Sequence, residues 1–271
     1  MGSTPTLLSI VPPRMRGTPL LLVFALVCAA PVALGQSAAA PRFEELALQF
    51  EYDRKAPADV REVGRRRRPG GVTVVDLTYA SPRGGRVPAY MVLPRGRGPF
   101  AAVLFGHWMM SGSPLRDRRQ FLEEAVVLAR AGAVSLLIDA PYVRPGFTPE
   151  KEEMRQAAQS SEVSRQQVVD FRRGVDLLTA RGDVDPRRIA YVGHSSPASV
   201  FLQFGRRDKP IMEKMARRYF ALFGEPKRMG FYDAGHALDA AARRERVEWL
   251  ARRLSLRRPD LAALARIPEL K

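Results

Sequence analysis

Ile189-Ala190-Tyr191-Val192-Gly193-His194-Ser195 is the stretch of sequence that decides the fold. A short apolar run that ends in Gly-x-Ser is typical of a buried strand leading into a sharp turn. In a nucleophile elbow, such a turn holds the serine with its hydroxyl exposed above the sheet. Small flanking residues are needed there because the backbone folds tightly. Ser195 is therefore a candidate nucleophile.

A carboxylate and a histidine follow two later strands. Residues 200–204 form an apolar run that ends in Gly205-Arg206-Arg207-Asp208, and residues 228–232 form another that leads to Asp233-Ala234-Gly235-His236. Asp208 would hold the tautomer of His236, and His236 would take the proton from Ser195 and return it to the leaving group. Each residue alone is more often an ordinary loop residue or helix cap. All three at strand ends, in the order Ser, acid, His, indicate a catalytic triad.

Two other histidines occur in the chain. His194 is the variable position of the elbow, and His107 follows the first buried strand in Phe105-Gly106-His107-Trp108, where an oxyanion-hole loop would lie. The backbone N–H groups of Trp108 and Ser196 are the candidate oxyanion donors. Because the histidines are dispersed and the one cysteine, Cys28, lies far upstream, the sequence argues against a zinc site.

Strands and helices alternate after residue 100, which predicts an α/β fold. Apolar runs without period-2 alternation indicate strands buried on both faces, and hence a mostly parallel central sheet flanked by helices on both faces. An antiparallel hairpin at a sheet edge, residues 72–79 and 86–93, precedes this part. The predicted later strands are 100–105, 134–138, 189–192, 200–204 and 228–232, and the predicted helices are 115–131, 149–181, 210–223 and 237–254.

The first 35 residues are typical of a secretory signal peptide. Arg14 and Arg16 precede an apolar run to Leu34, and Ala33-Leu34-Gly35 has the small-x-small pattern of a cleavage site. A membrane anchor is the alternative, although the run of about 15 residues is shorter than the roughly 20 that span a bilayer. We therefore expect export to the periplasm or beyond, a lead-in and linker over 36–71, and one domain over 72–271.

The formal net charge is +16, from 44 Lys and Arg against 28 Asp and Glu. Such a charge is compatible with binding to polyanions. However, most arginines fall on predicted helix faces beside glutamates, and Arg65 to Arg68, followed by Pro69-Gly70-Gly71, is typical of a solvated loop. The charge favours negative surfaces or substrates without specifying one. The sequence indicates no specific nucleic-acid partner and leaves the oligomeric state open.

From about residue 72 to residue 254, the chain resembles the α/β-hydrolase superfamily, and within it the dienelactone-hydrolase and acetyl-esterase-like groups. The stretches that carry the resemblance are 190–195, 204–208 and 233–237. The resemblance implies a hydrolase without metal or cofactor that acts on a small ester-like substrate through an acyl-serine intermediate. Ser195, Asp208 and His236 would be its catalytic residues.

The chain departs from that family after the elbow. Pro197 replaces the last glycine of Gly-x-Ser-x-Gly, and only 13 positions separate Ser195 from Asp208. Residues 196–199 reach roughly 13 Å when extended, whereas a strand of five or six residues is about 17–20 Å long. One strand must therefore be shortened, or the triad does not form. We expect that a block of about 50–70 residues is missing relative to the family, judged by the usual size of such domains.

Two further functions remain open. The short connection allows a catalytically impaired remnant of a hydrolase, or a binding protein that keeps its scaffold. The net charge allows a basic protein that binds polyanions at the cell envelope.

Overall fold

A computed structural model describes residues 6–10, 43–108, 113–145, 161–193, 201–208, 211–221 and 227–269. The strands are β1 Thr6–Ile10, β2 Arg61–Arg68, β3 Val72–Ala80, β4 Arg86–Leu93, β5 Phe100–Gly106, β6 Ala133–Ile138, β7 Val184–Gly193, β8 Phe201–Gly205 and β9 Arg228–Tyr232. The helices are α1 Phe43–Leu48, α2 Leu122–Arg130, α3 Ser161–Thr179, α4 Ile211–Ala221, α5 Ala240–Arg253 and α6 Leu261–Ala265.

The described strands form one sheet in the order β2-β3-β4-β6-β5-β7-β1-β8-β9. β5 pairs in parallel with both β6 and β7, and β8 pairs in parallel with β9. The pairings give six of the nine strands one direction, with β1, β2 and β4 running the other way. The predicted α/β class is confirmed, and the sheet is mixed rather than purely parallel.

The sheet has a hydrophobic core on each face. On one face, α2, α5 and α6 cover side chains such as Val103 and Phe105 of β5. On the other face, α3 covers Ala102 and Leu104 of the same strand. Since alternate side chains of a strand point to opposite faces, the unbroken apolar run of β5 follows from this double burial.

The predicted hairpin is confirmed, but it does not lie at the edge of the sheet. β3 and β4 pair antiparallel, and β2 adds outside them, with Arg65 opposite Val75 and Arg68 opposite Val72. The prediction of a solvated loop at Arg65 to Arg68 was wrong. β2 lies at the edge of the sheet, and its side chains are mostly exposed. Such side chains can all be charged, so the sequence of the strand shows no apolar alternation.

Residues 113–121 do not join the helix predicted from residue 115. Instead, the backbone N–H of Arg118 donates to Asp139 Oδ1 at 2.8 Å, and the carbonyl of Leu115 accepts from the indole of Trp108 at 3.1 Å. These tertiary hydrogen bonds hold the segment in turns, and α2 begins only at Leu122. The helix predicted over 149–181 is observed from Ser161 to Thr179, and residues 149–160 lie outside the described part.

β1 lies between the two strands that carry the candidate nucleophile and acid. It pairs antiparallel with both: Leu8 is opposite Val192 of β7 and Phe201 of β8. β7 and β8 therefore lie two strand spacings apart, about 9.6 Å. This strand comes from the predicted signal peptide, residues 1–35, whose remaining residues lie outside the described part.

The register removes the conflict that the short connection raised. Because Val192 and Phe201 share one partner in β1, β8 begins level with the end of β7 and not at the opposite edge of the sheet. The chain from Gly193 to Phe201 has only to cross about 9.6 Å. Its seven intervening residues reach about 23 Å when extended. The expected shortening of a strand is not observed: β8 has five residues and is instead displaced along the sheet, so that Gly205 lies three residues beyond the level of Gly193.

A buried ion pair joins three elements around the end of β8. Arg246 of α5 makes two hydrogen bonds to Glu124 of α2, at 3.0 and 2.7 Å, and a third to Gln203 Oε1 of β8 at 2.9 Å. The amide of Gln203 in turn donates to the carbonyl of Ala242 at 2.7 Å. The side chains of Arg246 and Glu124 are 6% and 4% exposed, so neither charge is solvated.

We predict that Glu124→Gln lowers the free energy of unfolding by about 3–5 kcal/mol, because it leaves the Arg246 guanidinium buried without its counter-charge. Glu123→Gln is the matched control, since Glu123 pairs with Arg68 at the surface, where such pairs contribute at most about 1 kcal/mol. Urea denaturation of the two variants measures the difference. Equal losses of unfolding free energy in the two variants would show that the buried ion pair stabilises the fold no more than the surface pair does.

Candidate active site

The strands that run in one direction point their carboxyl ends toward the same side of the sheet, although β8 and β9 end three residues beyond the level of β5 and β7. Gly106 of β5 pairs with Gly193 of β7, and Gly205 of β8 pairs with Tyr232 of β9. The segments that follow these four strands contain His107, Trp108, Ser195, Asp208 and His236. In α/β sheets, ligands bind outside this carboxyl edge.

Asp208 and His236 are in contact at this edge. His236 Nδ1 lies 2.9 Å from Asp208 Oδ2, and both side chains are largely buried. The carboxylate accepts a hydrogen bond from Nδ1–H. The proton of the neutral ring is therefore on Nδ1, and the lone pair is on Nε2. The imidazole is thus held in the tautomer that a general base requires.

Gly205 permits this contact. A Cβ at this position would lie 2.3 Å from the carbonyl oxygen of Gly235 and 2.4 Å from that of Ala234. Both contacts are to backbone and far shorter than van der Waals distance, so any side chain would push the loop away. The loop also bonds directly to the end of β8, because the N–H of Arg207 donates to the carbonyl of Ala234 at 3.0 Å.

Trp108 packs against the imidazole of His236. The two rings are stacked, with their centroids 5.9 Å apart and an interplanar angle of 11°. The indole is 1% exposed, and its Nε1–H donates to the carbonyl of Leu115 at 3.1 Å. The backbone N–H of Trp108, the predicted oxyanion donor, donates to Gln120 Oε1 at 2.7 Å.

His107 is a buried cross-link. Its Nε2 accepts from the backbone N–H of Ala140 at 2.9 Å, so its Nδ1–H donates to the carbonyl of Trp108 at 2.8 Å. Burial lowers the pKa of His107 to about 4, so the ring is neutral at pH 7. The residue fixes the segment after β5 to the segment after β6, and both of its ring nitrogens are engaged.

Asp139, which follows β6, is the second perturbed group near this edge. Burial raises its pKa to about 6, although the backbone N–H and the charge of Arg118 act in the opposite direction. The carbonyl of Asp139 accepts two hydrogen bonds from Arg144, at 3.1 and 2.9 Å. These bonds hold the loop after β6 against the body of the domain.

A cavity of about 410 Å³ lies next to the segment that follows His236. Gln120, in the turn before α2, lines it, and so do Ala237 and Leu238, the two residues after His236. Its wall is rich in charged groups of both signs. We call it the α2–α5 cavity; its charged lining residues are Arg66, Arg68, Arg119, Arg243, Arg246, Glu123, Glu124, Asp239 and Glu269.

The structure brings together part of the predicted site. Asp208, His236 and Trp108 are adjacent, whereas Ser195 and Ser196 lie outside the described residues. Sequence reasoning missed the roles of Gly205 and Gln120. A glycine at the end of an otherwise apolar strand is a signal that could have indicated Gly205. Nothing in the sequence distinguishes Gln120 from other glutamines.

The described residues contain no group of three or more His, Cys, Asp or Glu side chains arranged to hold a metal ion. Within the same residues, no helix is long and apolar enough to cross a membrane.

The comparisons with known proteins identify the fold. The chain matches no protein-family model, and no curated protein sequence matches it. Among solved structures, it is similar to the methylesterase BT1017, with a TM-score of 0.57 and 15% identity over 77% of this chain and 61% of that one. The chain has the α/β-hydrolase fold.

Two smaller proteins match at nearly their full length. A cold-adapted esterase from an Arctic intertidal metagenomic library gives a TM-score of 0.54 and 14% identity, over 71% of this chain and 98% of that one. A putative dienelactone hydrolase from Klebsiella pneumoniae subsp. pneumoniae gives a TM-score of 0.50 and 13% identity, over 67% and 98%. At these identities, the likeness establishes the fold alone.

We predict that His107 makes the stability of the protein fall on mild acidification. The unfolded chain binds a proton at His107 below pH 6.5, and the folded chain only below about pH 4, so stability is lost as the pH falls between these values. For pKa values of 6.5 and about 4, the loss from pH 7 to pH 5 is about 2 kcal/mol.

Urea denaturation of wild type and His107→Asn at the two pH values measures this effect. Asp139, with its raised pKa, acts in the opposite direction, but it is present in both proteins and cancels from the difference. The stability advantage of wild type over the variant should shrink by about 2 kcal/mol from pH 7 to pH 5. A constant advantage would contradict the prediction.

Proposed function

We propose that this protein is an exported serine hydrolase that cleaves a carboxylic ester or a related acyl bond. The observation that carries the proposal is the 2.9 Å contact between His236 Nδ1 and Asp208 Oδ2 at the carboxyl edge of the sheet. The fold supports it, because the similar structures are described as esterases, a methylesterase and a putative dienelactone hydrolase.

In the proposed mechanism, Ser195 is the nucleophile. His236 Nε2 takes the proton from the Ser195 hydroxyl as its oxygen attacks the carbonyl carbon of the ester. Asp208 keeps the imidazole oriented and stabilises the imidazolium that forms. His236 then gives the proton to the departing alcohol, and an acyl-serine remains. Water, activated by the same imidazole, hydrolyses this intermediate and restores the free serine.

The backbone N–H groups of Trp108 and Ser196 are the proposed oxyanion donors. Negative charge develops on the carbonyl oxygen during attack, and donors already in place stabilise it without reorganisation. The buried indole of Trp108 and its stacking on His236 fix the position of the residue, and its N–H would exchange the Gln120 oxygen for the oxyanion.

We propose that the α2–α5 cavity receives the part of the substrate next to the scissile bond. Its volume of about 410 Å³ lies within the range of small-molecule pockets. Ala237 and Leu238 connect its wall directly to His236. The proposal requires no cofactor or metal, since each step uses only side chains and backbone of this chain.

Export remains part of the proposal and rests on the sequence of residues 1–35. Cleavage after Gly35 would also remove β1, the strand between β7 and β8. The competing function is a binding protein that has lost catalysis. This function would follow if the connection from β7 to β8 holds Ser195 away from His236.

Labelling with a fluorophosphonate probe tests the nucleophile. We expect wild type to be labelled, Ser195→Ala to be unlabelled, and the control Ser199→Ala to be labelled like wild type. An unlabelled wild type, or a labelled Ser195→Ala variant, would contradict the mechanism. The intact mass of the labelled protein from the periplasm should correspond to residues 36–271, and a mass that includes residues 1–35 would contradict cleavage at the predicted site.

The role of Asp208 is tested by Asp208→Asn. An asparagine amide would donate to His236 Nδ1 and favour the tautomer that carries its proton on Nε2, which cannot act as a base. We expect kcat for a chromogenic short-chain ester to fall by about 10³- to 10⁴-fold. Asp233→Asn is the matched control, because Asp233 is exposed and pairs only with exposed Arg207 among the ion pairs of the described residues. Similar kcat values for the two variants would exclude Asp208 as the triad acid.

A further inference from the structure

Four exposed arginines lie close together in the sequence at the end of α5 and just beyond it: Arg252, Arg253, Arg257 and Arg258. No ion pair within the described part of the chain involves any of them. Arg252 and Arg253 occupy the last turn of the helix, where cations interact favourably with its dipole. Arg257 and Arg258 lie after the helix, so this effect does not account for them.

The carboxylates of the surrounding elements are already paired with other arginines. Three such groups are found: Asp260 pairs with Arg130, Asp185 with Arg187 and Arg188, and Glu245 with Arg228. The dense group of arginines on β2 is also partly neutralised, through the pairs Arg61–Asp59, Arg65–Glu62 and Arg68–Glu123. The four arginines after Leu250 thus keep their charge without a carboxylate partner, and such a cluster attracts anions over about one Debye length, roughly 8 Å at physiological salt.

A groove joins the first two of these arginines to strand β9. It has a volume of about 560 Å³, and its lining residues are Lys227, Arg228, Trp249, Arg252 and Arg253. The guanidinium of Arg253 lies over the ring of Trp249, 5.6 Å from its centroid. No carboxylate is among these lining residues.

The other two arginines extend this surface across the sheet. The carbonyl of Leu254 accepts from the guanidinium of Arg188 on β7 at 3.1 Å, and the N–H of Arg257 donates to the carbonyl of Ala131, just before β6, at 3.0 Å. In the sheet order, β9 and β6 are separated by five strand spacings, about 24 Å. We call this surface the cationic band; it consists of Lys227, Arg228, Arg252, Arg253, Arg257 and Arg258.

The cationic band lies away from the candidate active site. Helix α5 begins at Ala240, four residues after His236, and ends at Arg253. Its 14 residues span about 21 Å. The Asp208–His236 pair and the band are therefore near opposite ends of this helix, and a partner bound to the band leaves the candidate site open.

We propose that the cationic band is a docking surface for a lipid bilayer with anionic headgroups. The charges are spread over a strand end, a helix end and the following loop, so a broad anionic surface contacts all of them together. A single polyanionic chain seated in the groove would not contact Arg257 and Arg258, which do not line it.

The docking is electrostatic and needs no insertion into the bilayer. The exposed large apolar side chains of the described residues, Leu48, Val60, Val63 and Val168, all lie outside the band. A lysine or arginine close to an anionic bilayer strengthens binding by about fivefold. Four uncompensated arginines are therefore sufficient to hold the protein at such a surface.

Sedimentation of the full chain with vesicles tests the proposal. One set of vesicles contains phosphatidylcholine alone, and the other contains equal parts of phosphatidylglycerol and phosphatidylcholine. The apolar run of residues 20–34 would bind both sets alike, so the ratio of the two partition coefficients isolates the effect of the anionic headgroups. We expect a ratio of about 10² to 10³ for wild type, which should approach one at about 1 M salt.

Variants of equal charge locate the docking surface. Glutamine at all four positions (Arg252→Gln, Arg253→Gln, Arg257→Gln and Arg258→Gln) should lower the ratio by about 10²-fold or more, whereas lysine at the same positions should retain it. The matched control removes four charges from exposed positions of β2: Arg61→Gln, Arg65→Gln, Arg66→Gln and Arg67→Gln. This control should stay close to wild type, and urea denaturation checks that each variant is folded.

A fluorophore reports the orientation at the vesicle. It is attached at Ser255→Cys, between Arg253 and Arg257, or at Asp233→Cys, near His236, in a Cys28→Ser background that removes the one native cysteine. Phosphatidylglycerol vesicles should change the emission at position 255 and leave position 233 unchanged. A response at position 233 alone would overturn the proposal.

Three further results would also overturn it. Equal losses in the band and β2 variants would show that net charge, and not this surface, sets binding. A wild-type ratio near one would show that anionic headgroups are not recognised, and retention on heparin without binding to vesicles would identify a linear polyanion as the partner. None of these results depends on ester hydrolysis, so the proposal and the proposed function can fail separately.

Discussion

The hydrogen-bonded ion pair of Arg246 and Glu124 is the interaction on which the candidate site depends. It joins α5, which follows His236, to α2, which follows Gln120, and through Gln203 it joins both to β8, which precedes Asp208. Two charges that are almost fully buried would be destabilising if either stood alone. Their pairing holds α2, α5 and β8 in one relative position. The loops that adjoin these elements are positioned accordingly.

The sheet edge imposes the second constraint. Asp208 and His236 meet because β8 and β9 end level with each other and because Gly205 has no side chain to separate the following loops. The Ser195 strand does not adjoin β8, since β1 lies between them. The Asp208–His236 pair and the strand that precedes the candidate nucleophile therefore belong to two halves of the sheet that the N-terminal strand joins. Removal of residues 1–35 would therefore remove the strand that connects the two halves of the site.

The polar groups around the Asp208–His236 pair connect the loops that surround it. His107 is engaged through both ring nitrogens, and Asp139 is bound by Arg118 and Arg144, so these groups serve to fix loops. Gln120 accepts from the Trp108 N–H and lines the α2–α5 cavity.

The sequence by itself determined the α/β class, the strands of the carboxyl edge and the positions of Asp208 and His236 after β8 and β9, because these depend on local patterns: apolar runs, glycines at strand ends and polar residues immediately after them. The prediction of a loop at Arg65 to Arg68 was wrong, because an edge strand with exposed charges shows no apolar pattern in its sequence. Only the tertiary structure decided the level at which β8 begins, the insertion of β1 and the contact of Gln120 with Trp108. Each of these results from strand register or side-chain packing between segments that are distant in the chain, and no local pattern encodes them.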